Sequence, residues 1–270
     1  MEAMGSFSAE WLALREAADH AARAERLVDI AIGALHGAPA VTVVDLAAGT
    51  GSNLRYLSPR LPFAQRWVLV DHDKTLLAEA ARDRALLNIT ADVVCADLAQ
   101  LDDAVLARTD APLLVTASAL LDLTSPQWLD ALASRCRATH AVALFALSYD
   151  GRIACEPDDP MDELIRALVN RHQQRDKGFG PAAGPDATDV AAQAFERYGF
   201  TVHRAPSEWE LGAESRELQL QLVDGWAAAA SEASRRDADA IQAWRMRRIE
   251  AIEHGSSRID VGHEDLVAVP

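Results

Sequence analysis

One segment, residues 41–57, constrains the fold of this chain more than any other, and it reads VTVVDLAAGTGSNLRYL. A β-branched apolar run ends in the carboxylate of Asp45, and a loop of small residues runs from Ala47 to Gly51. The residues after the loop have helical leucine spacing, so we expect a buried strand, a tight turn and a helix N-terminus. In such a turn a ligand lies against bare backbone N–H groups. Glycine is needed wherever a Cβ would block the ligand or φ is positive.

Two kinds of nucleotide-binding turn share this outline, and individual residues separate them. A dinucleotide fingerprint, G-x-G-x-x-G, that began at Gly49 would need Gly or Ala at the position of Leu54. Read from the strand, the pattern Asp45-x-Ala47-x-Gly49-x-Gly51 resembles the first motif of class I S-adenosylmethionine-dependent methyltransferases. The first glycine of that family is Ala47 here, which asks for slightly more room beside the cofactor. For the loop alone, an ordinary strand–turn–helix of another α/β protein is the alternative.

Two further carboxylates follow at the distances that this resemblance implies. Residues 66–74 are predicted to form a second strand ending in Asp71, and residues 91–98 a third strand ending in Asp97-Leu98. An acidic residue at the tip of the second strand is placed to accept both ribose hydroxyls of an adenosine, in NAD and S-adenosylmethionine alike. The resemblance implies that Asp97 accepts the adenine amino hydrogens and that the N–H of Leu98 meets a ring nitrogen.

Strands and helices alternate along the first half of the chain. A fourth strand is predicted over 111–121 and a fifth over 140–149, and short β-prone runs at 200–203 and 258–261 are interpreted as the sixth and seventh. The Ala- and Leu-rich segments between the first five strands are predicted helices over residues 74–87, 99–108 and 125–137. This alternation predicts an α/β fold with a seven-stranded, mostly parallel Rossmann-like sheet and helices on both faces. An antiparallel edge made by the last two strands separates class I methyltransferases from dehydrogenases.

The whole chain, 1–270, is predicted to be a single methyltransferase domain. Its parts are N-terminal cap helices over 1–37, a cofactor-binding core over 38–150, a lid insertion over 151–185 and a C-terminal part over 186–270. The lid is an amphipathic helix followed by a Gly- and Pro-rich loop over 176–185, beside the expected cofactor cleft. A long helical insertion near 213–254 separates the last two strands, and it either extends the lid or builds a subunit interface.

The N-terminal cap begins with a helix that Ser8 is predicted to cap, and Asp19 is predicted to cap a second helix. In many class I enzymes such a helix folds over the bound cofactor, so the resemblance lets Arg15 meet the methionine carboxylate. The alternative is an ion pair between Arg15 and Asp19 at i,i+4 spacing, which contributes a few tenths of a kcal/mol on a solvated helix.

The expected chemistry asks little of the protein. A sulfonium methyl group is a strong electrophile, so the enzyme mainly aligns the reactants and excludes water. A base is required only if the acceptor has a high pKa. Asp122, Tyr149, His172 and His140 are the polar groups expected near the acceptor. For Asp122 a helix-capping role is the alternative, and for His172 a hydrogen-bonded core position.

The implied cofactor is S-adenosyl-L-methionine, with S-adenosyl-L-homocysteine as the product, and no metal site is predicted. Ser118, at the end of the fourth strand, should line the transferring methyl group. The predicted cofactor-binding residues are Asp45, Ala47, Gly49, Gly51, Asp71, His72, Asp97, Leu98, Ser118 and Arg15. The catalytic candidates are His172, Asp122 and Tyr149.

Composition excludes several classes of protein. With 50% hydrophobic and 25% charged residues the chain has the composition of an ordinary globular protein. Its formal charge of −15 opposes general binding to nucleic acid. No apolar run is long enough to span a bilayer, no secretion signal is recognised and the three cysteines have no disulfide or zinc spacing, so a cytoplasmic protein is expected. A homodimer is left open.

These observations predict methyl transfer from S-adenosylmethionine to an oxygen or nitrogen of a small-molecule acceptor. A non-catalytic sensor or partner subunit that binds S-adenosylmethionine is one alternative, and an NAD-dependent oxidoreductase is a second. The sequence does not specify the acceptor.

Overall fold

The computed structural model describes residues 7–86, 89–100, 106 and 112–270. The described residues form one sheet of eight strands. The strands are β1 (Ala40–Leu46), β2 (Ala64–Asp71), β3 (Thr90–Cys95), β4 (Leu113–Ser118), β5 (Val142–Glu156), β6 (Thr201–Pro206), β7 (Trp209–Leu211) and β8 (Arg258–Val269). The helices are α1 (Ala9–Ala22), α2 (Glu25–Ala34), α3 (Ser52–Leu57), α4 (Lys74–Leu86), α5 (Pro126–Ala138), α6 (Asp162–Gln173), α7 (Ala187–Arg197), α8 (Arg216–Ala233) and α9 (Ala238–Glu253).

The sheet has the strand order β3-β2-β1-β4-β5-β8-β6, and the short strand β7 pairs with β8. Strands β1 to β5 are parallel to their neighbours, whereas β8 runs antiparallel to β5, β6 and β7. The predicted α/β Rossmann-like fold with an antiparallel edge is therefore confirmed. The extra strand β7 has only three residues, too few for a sequence pattern to indicate.

Helices cover both faces of the sheet. Neighbouring residues of a strand point to opposite faces, so they pack against different helices. Val43 packs in a cluster with α2, α3 and α4, whereas Val44 packs in a second cluster with α5 and α7. A third apolar cluster joins α6, α8 and α9 to β7 and to the outer part of β5. The predicted helical insertion near 213–254 therefore packs together with the helix of the predicted lid.

Several predicted boundaries differ from the structure. Strand β5 continues through two register shifts to Glu156, beyond its predicted end at 149, and β8 extends to Val269 rather than ending at 261. Strand β3 ends at Cys95, so Asp97 lies just beyond it. Of the predicted helix over 99–108, residues 101–105 and 107–108 lie outside the described residues. The part before them is a 3-10 turn over Leu98–Gln100.

The capping predictions had different outcomes. The Ser8 hydroxyl accepts a hydrogen bond from the Trp11 N–H at 3.1 Å, which confirms the cap of α1. The prediction that Asp19 caps a second helix is wrong, because α1 continues through Ala22 and α2 follows Ala24 without a side-chain cap. Asp19 instead makes a buried contact within α1, described below. No helix in the described ranges is long and apolar enough to cross a membrane.

A buried carboxylate, Asp265 of β8, joins the α1–α2 junction to β5. It accepts hydrogen bonds from the backbone N–H of Leu147 at 2.8 Å and of Ala24 at 2.9 Å, and Arg23 lies 3.8 Å away. Leu147 has a φ of 56° at the register shift in β5, so the strand bends where the carboxylate meets it. One side chain therefore holds the cap helices against an irregular point of the sheet.

We expect Asp265→Ala to lower the free energy of unfolding by about 3–5 kcal/mol, because it leaves the buried Arg23 guanidinium and two backbone donors without this acceptor. Urea denaturation would measure the change. Asp265→Asn keeps one acceptor oxygen and should lose less. The exposed Asp92, which pairs with Arg66, provides the control Asp92→Ala, expected to change stability by less than about 1 kcal/mol. An equal effect of Asp265→Ala and Asp92→Ala would contradict this account.

Candidate functional site

The loop after β1 has the backbone conformation of a ligand cradle. Ala47, Gly49 and Gly51 all have positive φ, at 55°, 52° and 84°. For Ala47 this left-handed conformation costs about 1–2 kcal/mol relative to the ordinary helical region. Ala47 stands where the resembling family has its first glycine, so its Cβ both strains the loop and reduces the space beside it. Gly51 ends the loop as the N-cap residue of α3.

Helix α1 lies on this loop. A Cβ added at Gly49 would stand 3.2 Å from Cδ1 of Leu12, closer than nearly all real Cβ contacts. The Glu16 carboxylate pairs with Arg55 of α3 at 2.5 Å. The structure thus places the N-terminal helix over the predicted cofactor loop.

Asp45, at the end of β1, is fully buried and begins a polar network. Its Oδ1 accepts a hydrogen bond from Nδ2 of Asn53 at 2.7 Å, and the Asn53 Oδ1 accepts one from Nη1 of Arg23 at 3.0 Å. Its Oδ2 has no hydrogen-bond partner within the described part of the chain. Burial raises the pKa of Asp45 to about 7, and the Asn53 hydrogen bond opposes that rise.

Asp71, at the tip of β2, is also buried, and both of its oxygens contact backbone. Oδ2 accepts from the N–H of Gly49 at 2.9 Å, and Oδ1 accepts from the N–H of Asp73 at 2.9 Å. The exposed imidazole of His72 lies 3.2 Å from Oδ1. A carboxylate oxygen accepts more than one hydrogen bond, so this geometry leaves Asp71 able to receive ribose hydroxyls.

The predicted adenine-contacting residues follow β3. The exposed Asp97 accepts from the N–H of Ala99 at 2.9 Å and so fixes a 3-10 turn. Leu98 is buried, and its carbonyl accepts a hydrogen bond from Nε1 of Trp128 at 2.6 Å. Because β3, β2, β1 and β4 are neighbours, these two residues, the β1 loop, Asp71 and the half-buried Ser118 share one edge of the sheet.

Arg15 forms an ion pair with Asp19, the alternative to a contact with the methionine carboxylate. Its guanidinium donates to both oxygens of Asp19, at 2.9 and 3.0 Å, and the two side chains are buried. Nε1 of Trp209 also donates to Asp19, at 3.1 Å, and the Arg15 guanidinium lies 4.9 Å from the centre of the Trp209 ring. The pair therefore belongs to the interior rather than to a solvated helix face.

Asp122, which follows β4, is a buried carboxylate in the 3-10 turn Leu121–Leu123. The capping alternative is wrong, because Leu120 is the N-cap residue and no side chain caps the turn. Oδ1 of Asp122 lacks a hydrogen-bond partner in the described ranges. Burial raises the pKa of Asp122 to about 6, opposed by its own backbone N–H, by Arg15, by the backbone N–H of Tyr149 and by Lys177.

The other acceptor-side candidates are engaged elsewhere. The Tyr149 hydroxyl donates to Oδ1 of Asn170 at 2.7 Å, and burial raises the pKa of that tyrosine. His172 lies between α6 and α8, with Nε2 3.1 Å from the Glu232 carboxylate, and burial lowers its pKa. His140 precedes β5, so it lies at the opposite edge of the sheet from the carboxyl ends, and the expectation that it approaches the acceptor is wrong.

One buried histidine near these residues is not among the predicted site residues. His263 of β8 packs against Trp209, with ring centres 4.9 Å apart, and against Tyr149 at 6.3 Å. Burial lowers its pKa to about 3, helped by Arg15, and Nδ1 has no hydrogen-bond partner among the described residues. The sequence signal for its burial is that His263 alternates with Val261 and Asp265, whose side chains are on the buried side of β8.

Comparisons with known proteins agree with this geometry. Residues 43–141 match a family model described as a methyltransferase domain. The match covers the strands and loops that carry the predicted cofactor-binding residues from Asp45 to Ser118, and Arg15 lies outside it. A search of the curated proteins finds no match to the chain.

Three solved structures illustrate the likeness in fold. The cyclopropane synthase MmaA2 from Mycobacterium tuberculosis is 13% identical, with a TM-score of 0.48, over 90% of this chain and 83% of that one. A geranyl diphosphate C-methyltransferase from Streptomyces coelicolor is 14% identical, with a TM-score of 0.45, over 91% and 75%. Phosphoethanolamine N-methyltransferase 2 from Haemonchus contortus, solved with S-adenosylhomocysteine, is 11% identical, with a TM-score of 0.44, over 90% and 52%. At these values the likenesses carry no argument about the acceptor.

The matched segment contains most of the predicted cofactor-binding residues. The region that matches the methyltransferase domain contains Asp45 and Asp71, each at a strand end, and the loop with three positive φ angles. Residues 43–141 therefore resemble a methyltransferase domain. In the described residues no group of three or more His, Cys, Asp or Glu side chains could hold a metal ion.

The raised pKa of Asp122 has a consequence for stability. The folded state keeps this proton up to about pH 6, whereas the unfolded chain releases it near pH 3.8, so the wild type loses stability as pH rises through that window. Asp122→Asn should therefore gain stability relative to wild type, from little near pH 4 to about 3 kcal/mol above pH 7. Denaturation at a series of pH values, with Asp92→Asn as the exposed control, measures the difference. A gain that does not change with pH would show that Asp122 is ionised normally.

Proposed function

We propose that this enzyme methylates an oxygen or nitrogen of a small-molecule acceptor bound beside the carboxyl end of β4. The observation that carries this proposal is Asp122, a buried carboxylate with one unpartnered oxygen directly after that strand. Ligands of open α/β sheets bind where the strand order reverses, and in this sheet that point is at the carboxyl ends of β1 and β4.

The residues present fit S-adenosylmethionine. Asp71 would receive the ribose hydroxyls, and the Gly49 loop would lie against the methionine part. Asp97 would accept the adenine amino hydrogens, and the N–H of Leu98 would meet a ring nitrogen. The unpartnered Oδ2 of Asp45 supports this assignment, because an ammonium group beside the loop would satisfy it. The bound cofactor supplies an activated methyl group.

Arg15 and Ser118 complete the proposed cofactor set. Asp19 and Trp209 fix the Arg15 guanidinium in place, so it would meet the methionine carboxylate without losing further side-chain freedom. Ser118, the last residue of β4, would line the transferring methyl group.

The protein's own contribution is to align the acceptor, exclude water and receive a proton. Asp122 is suited to receive the proton, because burial raises its pKa to about 6 and leaves the carboxylate mostly ionised at neutral pH. Tyr149 and His172 suit it less, because Asn170 and Glu232 already occupy their polar atoms.

The setting of the enzyme is also part of the proposal. The formal charge of −15 favours a small acceptor over nucleic acid, and three free cysteines suit the reducing cytoplasm. The homodimer stays a prediction.

We expect S-adenosylhomocysteine to bind the wild type with a dissociation constant in the micromolar range, measured by calorimetry. Asp71→Asn keeps the size of the side chain but removes its charge, so affinity should fall about tenfold to a hundredfold. Asp92→Asn, on the exposed edge strand, is the control and should bind normally. No binding to the wild type, together with no transfer of labelled methyl to any acceptor in an extract, would refute the proposed function.

The loop over 176–185 is proposed to act as a lid. Glycines at 178 and 180 have positive φ, while Ala183 donates its N–H to the Thr124 carbonyl at 2.7 Å and the Phe179 ring lies 5.5 Å from that of Trp128. The loop is thus attached through Phe179 and Ala183 to α5 and to the segment between β4 and α5.

Hydrogen exchange tests this lid. The peptide spanning 177–185 should exchange at least fivefold more slowly when S-adenosylhomocysteine and an acceptor are bound, because closure would bury its backbone. The α7 peptide, packed in the core, should not change. Equal protection of the loop with and without ligand would mean that it is a fixed part of the fold.

A further inference from the structure

Three elements bring unpartnered polar atoms together on the acceptor side of the sheet. They are Oδ1 of Asp122 after β4, Nδ1 of His263 on β8 and Nε1 of Trp11 on α1, and each atom is buried without a hydrogen-bond partner among the described residues. Both Asp122 and His263 are more than nine-tenths buried as whole residues. Buried polar groups are nearly always satisfied in folded proteins, so a cluster of exceptions indicates the place of a missing polar ligand.

Asp122 and His263 have two neighbours in common, Tyr149 and Arg15, which places the two side chains near each other. Tyr149 is the strand partner of His263, and its backbone N–H stabilises the Asp122 carboxylate. Arg15 acts electrostatically on both groups, and Trp11 lies one helical turn before Arg15 on the same face of α1. We call Trp11, Arg15, Asp122, Tyr149, Trp209 and His263 the acceptor cluster.

The charges of the acceptor cluster discriminate between two kinds of acceptor. Arg15 already covers the face of Trp209, and Lys177 from the loop adds a second cation toward Asp122. His263 is neutral at physiological pH. Asp19 neutralises Arg15, and Lys177 opposes the charge of Asp122, so the cluster has no net negative charge to attract an ammonium group. A hydroxyl adds no charge and both donates and accepts a hydrogen bond.

We propose that Asp122 and His263 together bind the acceptor group, and that this group is a hydroxyl rather than an ammonium. The inference rests on the proposed function and narrows it to O-methylation. Asp122 accepts the hydroxyl proton while the acceptor oxygen forms its bond to the methyl carbon. The carbon–sulfur bond breaks with its electron pair passing to sulfur, and Asp122 later releases the proton to water. His263 holds the oxygen through Nδ1 and orients its attacking lone pair.

The test uses the full chain saturated with S-adenosylhomocysteine and two isosteric probe pairs. The pairs are benzyl alcohol with benzylamine, and 2-phenylethanol with 2-phenylethylamine, and their binding is measured by saturation-transfer NMR at pH 7.5. Each alcohol should bind at least fivefold more tightly than its amine. Asp122→Asn and His263→Gln should each weaken alcohol binding at least fivefold and leave the affinity for S-adenosylhomocysteine within twofold of wild type.

Matched controls make the same chemical changes far from the cluster. Asp224→Asn, at an exposed ion pair with Arg245, and His254→Gln, on the exposed end of α9, should not alter probe binding. If His263→Gln does not fold, judged by thermal unfolding with S-adenosylhomocysteine, His263→Asn replaces it.

The outcomes separate this inference from the function on which it rests. Three results would overturn the hydroxyl proposal, even with normal binding of S-adenosylhomocysteine. They are tighter binding of the amines, equal binding of both members of a pair, and alcohol binding that neither Asp122→Asn nor His263→Gln changes. Binding of no probe would do the same. Failure of S-adenosylhomocysteine itself to bind would instead remove the proposed function.

Discussion

A buried chain of charged and amide side chains holds the site together. It runs from Asp45 on β1 through Asn53 on α3 to Arg23 after α1, and from there to Asp265 on β8. Arg23 also stacks on the ring of Tyr56, 4.4 Å from its centre. Taking these groups out of water is costly, and only their mutual pairing offsets that cost. The cofactor loop, the cap helix and the antiparallel edge therefore depend on one another.

Helix α1 shows how this constraint shapes the site. Arg15, Asp19 and Arg23 follow one another at i,i+4 spacing, and all three are buried. The helix thus presents a polar face inward, where most helices present an apolar one. One end of that face, at Arg23, meets Asn53 and Asp265, and the other, at Arg15, belongs to the acceptor cluster. A movement of α1 would consequently change both halves of the site together.

The sequence predicted those features that depend on local pattern. Apolar runs that end in Asp45 and Asp71 gave the strand ends correctly, since the carboxyl ends of parallel strands must share an edge. Ser8 caps α1 by accepting a hydrogen bond from the Trp11 N–H at 3.1 Å, as predicted. These features need only neighbours in the chain, and they account for most of the cofactor-binding core.

What the sequence did not predict depends on distant partners. Asp19 has the residue type of a cap, but Arg15 and Trp209 draw it into the interior. His263 and Asp265 interrupt the apolar alternation of β8, so the sequence pattern predicts an end at 261 although the strand continues to Val269. These polar side chains are buried because groups far along the chain satisfy or surround them, and no local pattern carries that information.

A crystal structure of the protein with S-adenosylhomocysteine tests the central claim most directly. We expect the ribose hydroxyls within hydrogen-bond distance of Asp71 and the sulfur next to the end of β4 on the side of Asp122. The adenine amino group should lie at Asp97, with a ring nitrogen at the N–H of Leu98. Density for the ligand at the opposite edge of the sheet, in the 470 Å³ cavity lined by His36 and His140, would contradict it.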